Sequence, residues 1–181
     1  LSTRIAFLMT IELRSVTDEN FVEWRKAVRQ GFGIHVHPDD IARLRNDRAE
    51  LDRLIAAVDI GSERIVGTGG ADSYSLTVPG GAVVPMAGVA YMTTSVTHRR
   101  QGTFSGMMNH IHDEARERGD IVSGLWASQS HLYSRFDYGL GVNSYDWEID
   151  PNFGSFSHSP ISGDDKSDAH VYFVDADEAA A

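Results

Sequence analysis

The residues with the clearest chemical potential run Thr97-His98-Arg99-Arg100-Gln101-Gly102-Thr103-Phe104-Ser105. Just upstream, Val89 to Val96 is β-branched and aromatic and carries no charge, the make-up of a buried strand. Downstream, Phe104, Met107, Met108, Ile111 and Ala115 recur at three- and four-residue steps, the period of a helix with one apolar face. A strand that feeds a glycine-bearing turn and then a helix points the helix's first, unpaired N–H groups at whatever fills the turn. The helix dipole adds partial positive charge there, and Arg99 and Arg100 add whole charges. The chemistry this favours is gripping an anion, phosphates above all. On spacing alone the same residues also suit an ordinary strand-to-helix corner with two solvated arginines, because one glycine beside basic residues is a weak signal.

The order of residues narrows the reading. Thr97-His98-Arg99-Arg100-Gln101-Gly102 is followed by Leu125-Trp126-Ala127-Ser128-Gln129 and then by Tyr133-Ser134-Arg135-Phe136-Asp137-Tyr138-Gly139. This pattern resembles the GNAT acetyltransferases, and more narrowly the N-terminal domain of the Eis (enhanced intracellular survival) family, from about Met9 to Asp150. The general GNAT signature is Arg or Gln, two free positions, Gly, one free position, then Gly or Ala. Arg99 and Gly102 fit it, whereas Phe104 stands where the last small residue belongs. The Eis-like branch tends to carry a large apolar residue there, which requires Phe104 to point into the core.

The resemblance implies an α/β (α+β) GNAT fold: a mixed central sheet with a splayed parallel strand pair and helices on both faces. It implies acetyl-CoA as cosubstrate, with its pyrophosphate at Arg99, Arg100, Gln101, Gly102, Thr103, Phe104 and Ser105. The pantetheine arm would lie between two strands, Tyr91 to Thr94 and Leu125 to Ser128, touching Met92, Thr93, Thr94, Ser128 and Gln129. A main-chain N–H near Met92 or Thr94 could also stabilise the carbonyl oxygen as it gains charge, a contact whose loss elsewhere costs roughly 3 kcal/mol. Tyr133 matches the family's general acid; a phenol is a reasonable proton source for a departing thiolate. Tyr138, before Gly139, reads better as packing. The family's base is the C-terminal carboxylate of the complete protein, and this sequence ends at Ala181. Without that tail such a domain is expected to bind acetyl-CoA and turn over poorly. Glu23, Asp72 and Glu148 could act through water, but nothing in the sequence singles one out.

These groups must be positioned by a scaffold. Thr17 or Asp18 is expected to cap a helix with Phe21, Trp24, Ala27, Val28 and Phe32 in one stripe, ended by Gly31 and Gly33. Pro38, with Asp39 and Asp40 behind it, is expected to start a second helix reaching about Arg48. Leu51 to Val58 fits helix or strand, and the family's order of elements favours strand. Arg64 to Val78 and Ala82 to Val96 read as two strands joined at Pro79-Gly80-Gly81, with a bulge or close packing at Gly67, Gly69 and Gly70. The helix from Gly102 should end near Arg118-Gly119, followed by a parallel strand from Ile121 to Ala127 and a short helix within Ser128 to Phe136. Val142 to Ile149 alternates as a half-exposed strand. The expected organisation is an extension at 1–8, with Met9 a candidate natural start, a GNAT domain at 9–150, and a linker with the first strand of a truncated second domain at 151–181.

Composition agrees with a single α/β domain. The 181 residues are 41% hydrophobic and 23% charged. A formal net charge of −10 argues against nucleic acid and against an anionic membrane. It suits a cationic acceptor, although acidity also serves simple solubility. There is no cysteine, hence no disulfide, thiolate nucleophile or zinc knuckle. No metal is expected: His110 and His112 fall on different helix faces, and His35 and His37 beside Pro38-Asp39-Asp40 form only a weak candidate. Serine-hydrolase and NTPase loops are missing. The expected activity is acetyl transfer to a primary amine, aminoglycoside-like or lysine, in the cytoplasm, with homo-oligomers possible in the full-length family protein. The competing expectation is a non-catalytic coenzyme-binding or assembly module.

Overall fold

The computed structural model describes residues 11–37, 50–143, 148, 150 and 152. The chain divides into two units, Leu1–Gly139 and Leu140–Ala181, and the sheet and helices below lie in the first. The expected helix after Pro38 falls outside the described residues, as does most of Val142 to Ile149. Val142 and Asn143, at the start of that stretch, are irregular and exposed.

Five strands form one sheet in sequence order: β1 (Ile11–Ser15), β2 (Leu54–Asp59), β3 (Arg64–Thr77), β4 (Val83–Thr94) and β5 (Val122–Leu125). Neighbours pair antiparallel except β4 and β5, which are parallel and joined by a crossover through helix α2 (Thr103–Arg118). Helix α1 (Phe21–Gly31) lies on the opposite face. The strand period of two sorts the side chains between these faces. Ile55, Ala57, Ala71, Ala87 and Val89 pack under Met107, Met108, Ile111 and Ala115 of α2. Leu54, Ala56 and Val58 pack under Phe21, Trp24 and Val28 of α1. Covered on both sides, β2 has no need of a polar face, which is why Leu51 to Val58 shows no alternation in sequence.

Helix α1 begins one turn later than the capping residues suggest. Thr17 and Asn20 close a turn on each other, with Asn20 N–H donating to Thr17 O (3.1 Å) and Thr17 N–H donating to Asn20 Oδ1 (2.8 Å). Asn20, not Thr17 or Asp18, is therefore the boundary residue, and its side chain is spent on the turn rather than on the helix. At the other end the helix stops at Gly31, so Phe32 leaves the stripe and is 53% exposed. Gly119 closes α2 in the left-handed region (φ 83), donating to Arg116 O as expected of a C-terminal glycine.

A buried ion pair ties the far end of the sheet together. Arg53 is 3% exposed; its Nη2 donates to Asp120 Oδ2 (2.7 Å) and its Nη1 to Ser73 Oγ (2.7 Å). Ser73 Oγ in turn donates to Glu50 Oε2 (2.6 Å). The network joins the start of β2, the middle of β3 and the second residue after α2. Asp120→Ala would remove the carboxylate hydrogen-bonded to the guanidinium and leave only the longer approach of Nε to Glu114 (3.6 Å); it is expected to destabilise the fold by about 1.5–3 kcal/mol, read as a lowered urea midpoint. A midpoint shift no larger than that of an exposed substitution such as Asp113→Ala would contradict this role for the pair.

Candidate active site

The sheet opens where β4 bends. Strand β5 pairs with β4 only from Met86↔Val122 to Val89↔Leu125, whereas β4 continues against β3 as far as Thr94. Between Thr68 and Gly70 the β3–β4 register shifts, so that one residue of β3, Gly69, faces two of β4, Tyr91 and Met92. Tyr91 takes up the extra length in the left-handed region (φ 62), a conformation that disfavours an aromatic side chain and must be held by its surroundings.

Three sets of contacts hold it. Thr68 Oγ1 lies 2.7 Å from Tyr91 O and donates to it, and the Thr68 and Thr93 hydroxyls bond to each other at 2.7 Å. The Tyr91 ring meets Trp24 edge-on at 5.3 Å and lies under the Arg25 guanidinium at 5.3 Å. Its hydroxyl donates to Asp72, 3.0 and 3.2 Å from the two carboxylate oxygens. Burial, the Asp72 charge and this hydrogen bond push the phenol up to about 12, so Tyr91 keeps its proton. Past the bulge β4 departs from β5, and the chain after Leu125 has no strand to pair with. The expected strand to Ala127 therefore ends at Leu125, and Trp126 is 82% exposed.

Beyond Thr94 a 3-10 turn (Val96–His98) leads into the basic corner. Gln101 Nε2 braces it by donating to Thr97 O (3.3 Å). Arg100 and Gly102 both adopt left-handed φ, 61 and 84. The first main-chain bond of α2 is Gly106 N–H to Gly102 O (2.8 Å), and no side chain caps the helix. The N–H groups of Thr103, Phe104 and Ser105 thus have no partner within the helix. Among the described residues a Cβ added at Gly102 or Gly106 would meet nothing within 4 Å, so no described atom crowds the corner beside these two glycines. Arg99 and Arg100 are exposed, and neither forms an ion pair among the described residues. Thr103 is 6% exposed with its Oγ1 buried and without a hydrogen-bond partner, and Thr94 Oγ1 is likewise buried and unserved.

Phe104 does not enter this corner. It is half-buried against Tyr133 (5.8 Å, edge-on) and Phe136 (5.9 Å), in the α2-face core. Tyr133 sits between two 3-10 turns, Ser130–Leu132 and Ser134–Phe136, where a short helix is expected. It is half-buried, and among the described residues its hydroxyl makes no hydrogen bond. Desolvation raises its pKa. Tyr138 contrasts with it: its hydroxyl bonds both His112 Nε2 (2.9 Å) and Ser123 Oγ, consistent with a packing role. Met92 packs into the same core, Thr93 is buried on the α1 side, and Ser128 and Gln129 are exposed on the loop after β5. Contacts thus join Phe104 at the start of α2 to Tyr133, whereas among the described residues Ser128 and Gln129 make no side-chain hydrogen bond, ion pair or ring contact with the corner. Among the described residues no cluster of His, Asp or Glu could hold a metal ion. Thr68 and Tyr91 carry no warning in the sequence beyond the glycines around Thr68.

Residues 12–141 match the acetyltransferase (GNAT) domain family. The chain is 33% identical over 156 residues to an uncharacterized N-acetyltransferase of Streptomyces avermitilis, covering 86% of this chain and 38% of that protein. It is 33% identical over 158 residues to the N-acetyltransferase Eis of Mycobacterium tuberculosis, covering 86% and 39%. The chain therefore spans well under half the length of these curated relatives. The crystal structure of Eis1 from Mycobacterium abscessus superposes with a TM-score of 0.59 at 26% identity, over 71% of this chain and 31% of that one. The structure of a predicted acetyltransferase with acetyl-CoA from Clostridium acetobutylicum gives 0.62 at 16% identity, over 76% and 96%, a likeness of fold. With the opened β4–β5 pair, the uncapped helix after it and these matches in agreement, the chain belongs to the GNAT acetyltransferase family.

Proposed function

We propose that this chain binds acetyl-CoA at the open corner and passes the acetyl group to a primary amine, of the aminoglycoside or lysine-side-chain kind. The observation that carries the reading is the end of the β4–β5 ladder at Val89 and Leu125, directly upstream of unpartnered amides. An extended thioester arm would replace the missing strand by bonding to main-chain groups of β4 around Met92 and Thr94. The diphosphate would lie on the N–H groups of Thr103, Phe104 and Ser105, with Arg99 and Arg100 outside it. The orphaned Thr103 hydroxyl supports this, since a buried hydroxyl without a partner costs stability unless a ligand serves it. Ser128 and Gln129 would flank the arm from the β5 side.

In the reaction the amine nitrogen attacks the thioester carbonyl, a C–N bond forms, and the C–S bond breaks. Tyr133 gives its hydroxyl proton to the departing thiolate, and the proton shed by the amine goes to solvent. Desolvation favours the neutral phenol, so Tyr133 remains the proton-bearing form throughout the neutral range. Its contact with Phe104 sets the distance between the acid and the helix that would hold the coenzyme.

Acetyl-CoA at a hundredfold excess over its dissociation constant should raise the melting temperature by about 5–10 °C. Arg100→Ala should weaken binding about tenfold, and an unaltered shift in that variant would remove the corner from the site. Tyr133→Phe should lower kcat with kanamycin about 10²–10⁴-fold while acetyl-CoA still binds. Turnover by the wild type should rise through neutral pH as the acceptor amine loses its proton, and fall only above the ordinary tyrosine range, where Tyr133 loses its own. Equal rates for wild type and Tyr133→Phe would exclude the phenol as the acid. Coenzyme binding without transfer at any pH would favour a non-catalytic module.

A further inference from the structure

Tyr133 stands between two short 3-10 turns, and among the described residues no hydrogen bond fixes its side chain. Ring contacts hold it instead: Phe104 edge-on at 5.8 Å and Tyr138 edge-on at 5.9 Å. Phe104 belongs to the first turn of α2, so its place follows that helix. Tyr138 is held by other means. Asp137, in the left-handed region (φ 66), turns the chain back, and the Tyr138 N–H donates to Tyr133 O (3.4 Å). The Tyr138 hydroxyl is then tied on two sides, to His112 Nε2 (2.9 Å) on α2 and to Ser123 Oγ on β5. His112 also lies against the Tyr138 ring (5.6 Å) and meets Phe136 edge-on (6.2 Å). Ser123 pairs with Ala87 of β4, two rungs before the parallel ladder ends at Val89 and Leu125.

One phenol oxygen therefore joins three elements: the helix that starts at the basic corner, the strand that ends at the gap, and the loop that carries Tyr133. We propose that Tyr138 is a positioning residue for Tyr133, and that His112 and Ser123 hold it in place through its hydroxyl. The inference rests on the acetyl-transfer reading, in which Tyr133 is the acid. The two tyrosines divide the work by their bonding. Tyr138 commits its hydroxyl to the protein, whereas Tyr133 leaves its own for the departing thiolate. Burial holds His112 below the ordinary histidine range and Tyr138 above the ordinary tyrosine range, so both are neutral at pH 7. The bonds can run from Ser123 through Tyr138 to His112 or in reverse, and either direction satisfies the phenol. Without this tether only the edge of the Tyr138 ring would steady Tyr133 from the loop side. An acid that must meet one sulfur atom is sensitive to such slack, since a misplacement of about 1 Å can cost about a hundredfold in rate. The amides of Thr103, Phe104 and Ser105 belong to α2 itself, so coenzyme binding does not depend on the tether.

Tyr138→Phe keeps the ring and removes both hydroxyl bonds. It should lower kcat with kanamycin about tenfold, while KM for acetyl-CoA and the melting shift that acetyl-CoA produces stay as in the wild type. His112→Leu should act in the same way, and His112→Gln, whose amide can still bond the phenol, should recover part of the loss. In the Tyr133→Phe background Tyr138→Phe should cost nothing further, because the group it positions is already gone. An unchanged kcat in Tyr138→Phe, or the same loss in both backgrounds, would overturn the proposal. Aromatic NMR gives a readout without turnover: nuclear Overhauser contacts between the Tyr133 and Phe104 rings should be present in the wild type and weaken in Tyr138→Phe. Equal contacts in the two proteins would overturn it as well. Equal turnover by wild type and Tyr133→Phe would count against the acid instead, and the ring contacts alone would still decide whether Tyr138 holds Tyr133.

Discussion

A bulge in β4 against its antiparallel neighbour β3 bends the strand just where its parallel pairing with β5 ends, and this constraint shapes the candidate site. The extra residue is accommodated at Tyr91, in a backbone region that costs of order 1–3 kcal/mol for a side chain of this kind. What holds it is polar on one side and aromatic on the other: the Thr68 hydroxyl on the Tyr91 carbonyl, Trp24 and Arg25 on the ring, and Asp72 on the phenol. Because the bend is clamped, β4 leaves β5 after one short run of rungs. The opening between them is thus built in before any ligand arrives.

The two faces of the sheet then do different work. The α2 side is packed tightly around Met107, Met108 and Ile111, and it carries Phe104 and Tyr133 as one aromatic contact. The α1 side is sealed by Trp24 and Val28 over β2 and ends near Tyr91. Helix α2 enters the structure with no side-chain cap at its N-terminus, just after two left-handed residues, Arg100 and Gly102, that turn the chain sharply. An uncapped terminus is unusual in a helix this well packed, since Ser, Thr, Asp or Asn is the common solution. Here Thr103, one residue too late to cap, buries its hydroxyl without a partner.

Much of this was legible in the sequence for a simple reason: it is local. The period of α2, its closing glycine, the hairpin turn at Pro79-Gly80-Gly81 and the basic corner are all written in consecutive residues. The resemblance to the Eis branch added Tyr133 and the placement of Phe104, which spacing alone does not supply. What the sequence did not disclose depends on partners distant along the chain. Thr68 and Tyr91 meet only because β3 and β4 pair with a shifted register, and the Tyr91 hydroxyl reaches Asp72 through the same pairing. The start of α1 departs from the capping pattern for a related reason: Thr17 is a good capping residue, but Asn20 bonds to it across the turn and becomes the boundary residue. Ile121 to Ala127 looked longer as a strand than it is because its apolar run continues after its pairing partner has bent away.

The most direct test of the account is to map acetyl-CoA onto the main chain. In amide-resolved NMR of the 15N-labelled protein, the account predicts saturable shifts centred on Thr103, Phe104 and Ser105 and extending to Met92 and Thr94, the amides that lack helix or β5 partners. Shifts confined to other parts of the chain, or none at saturating coenzyme, would contradict it.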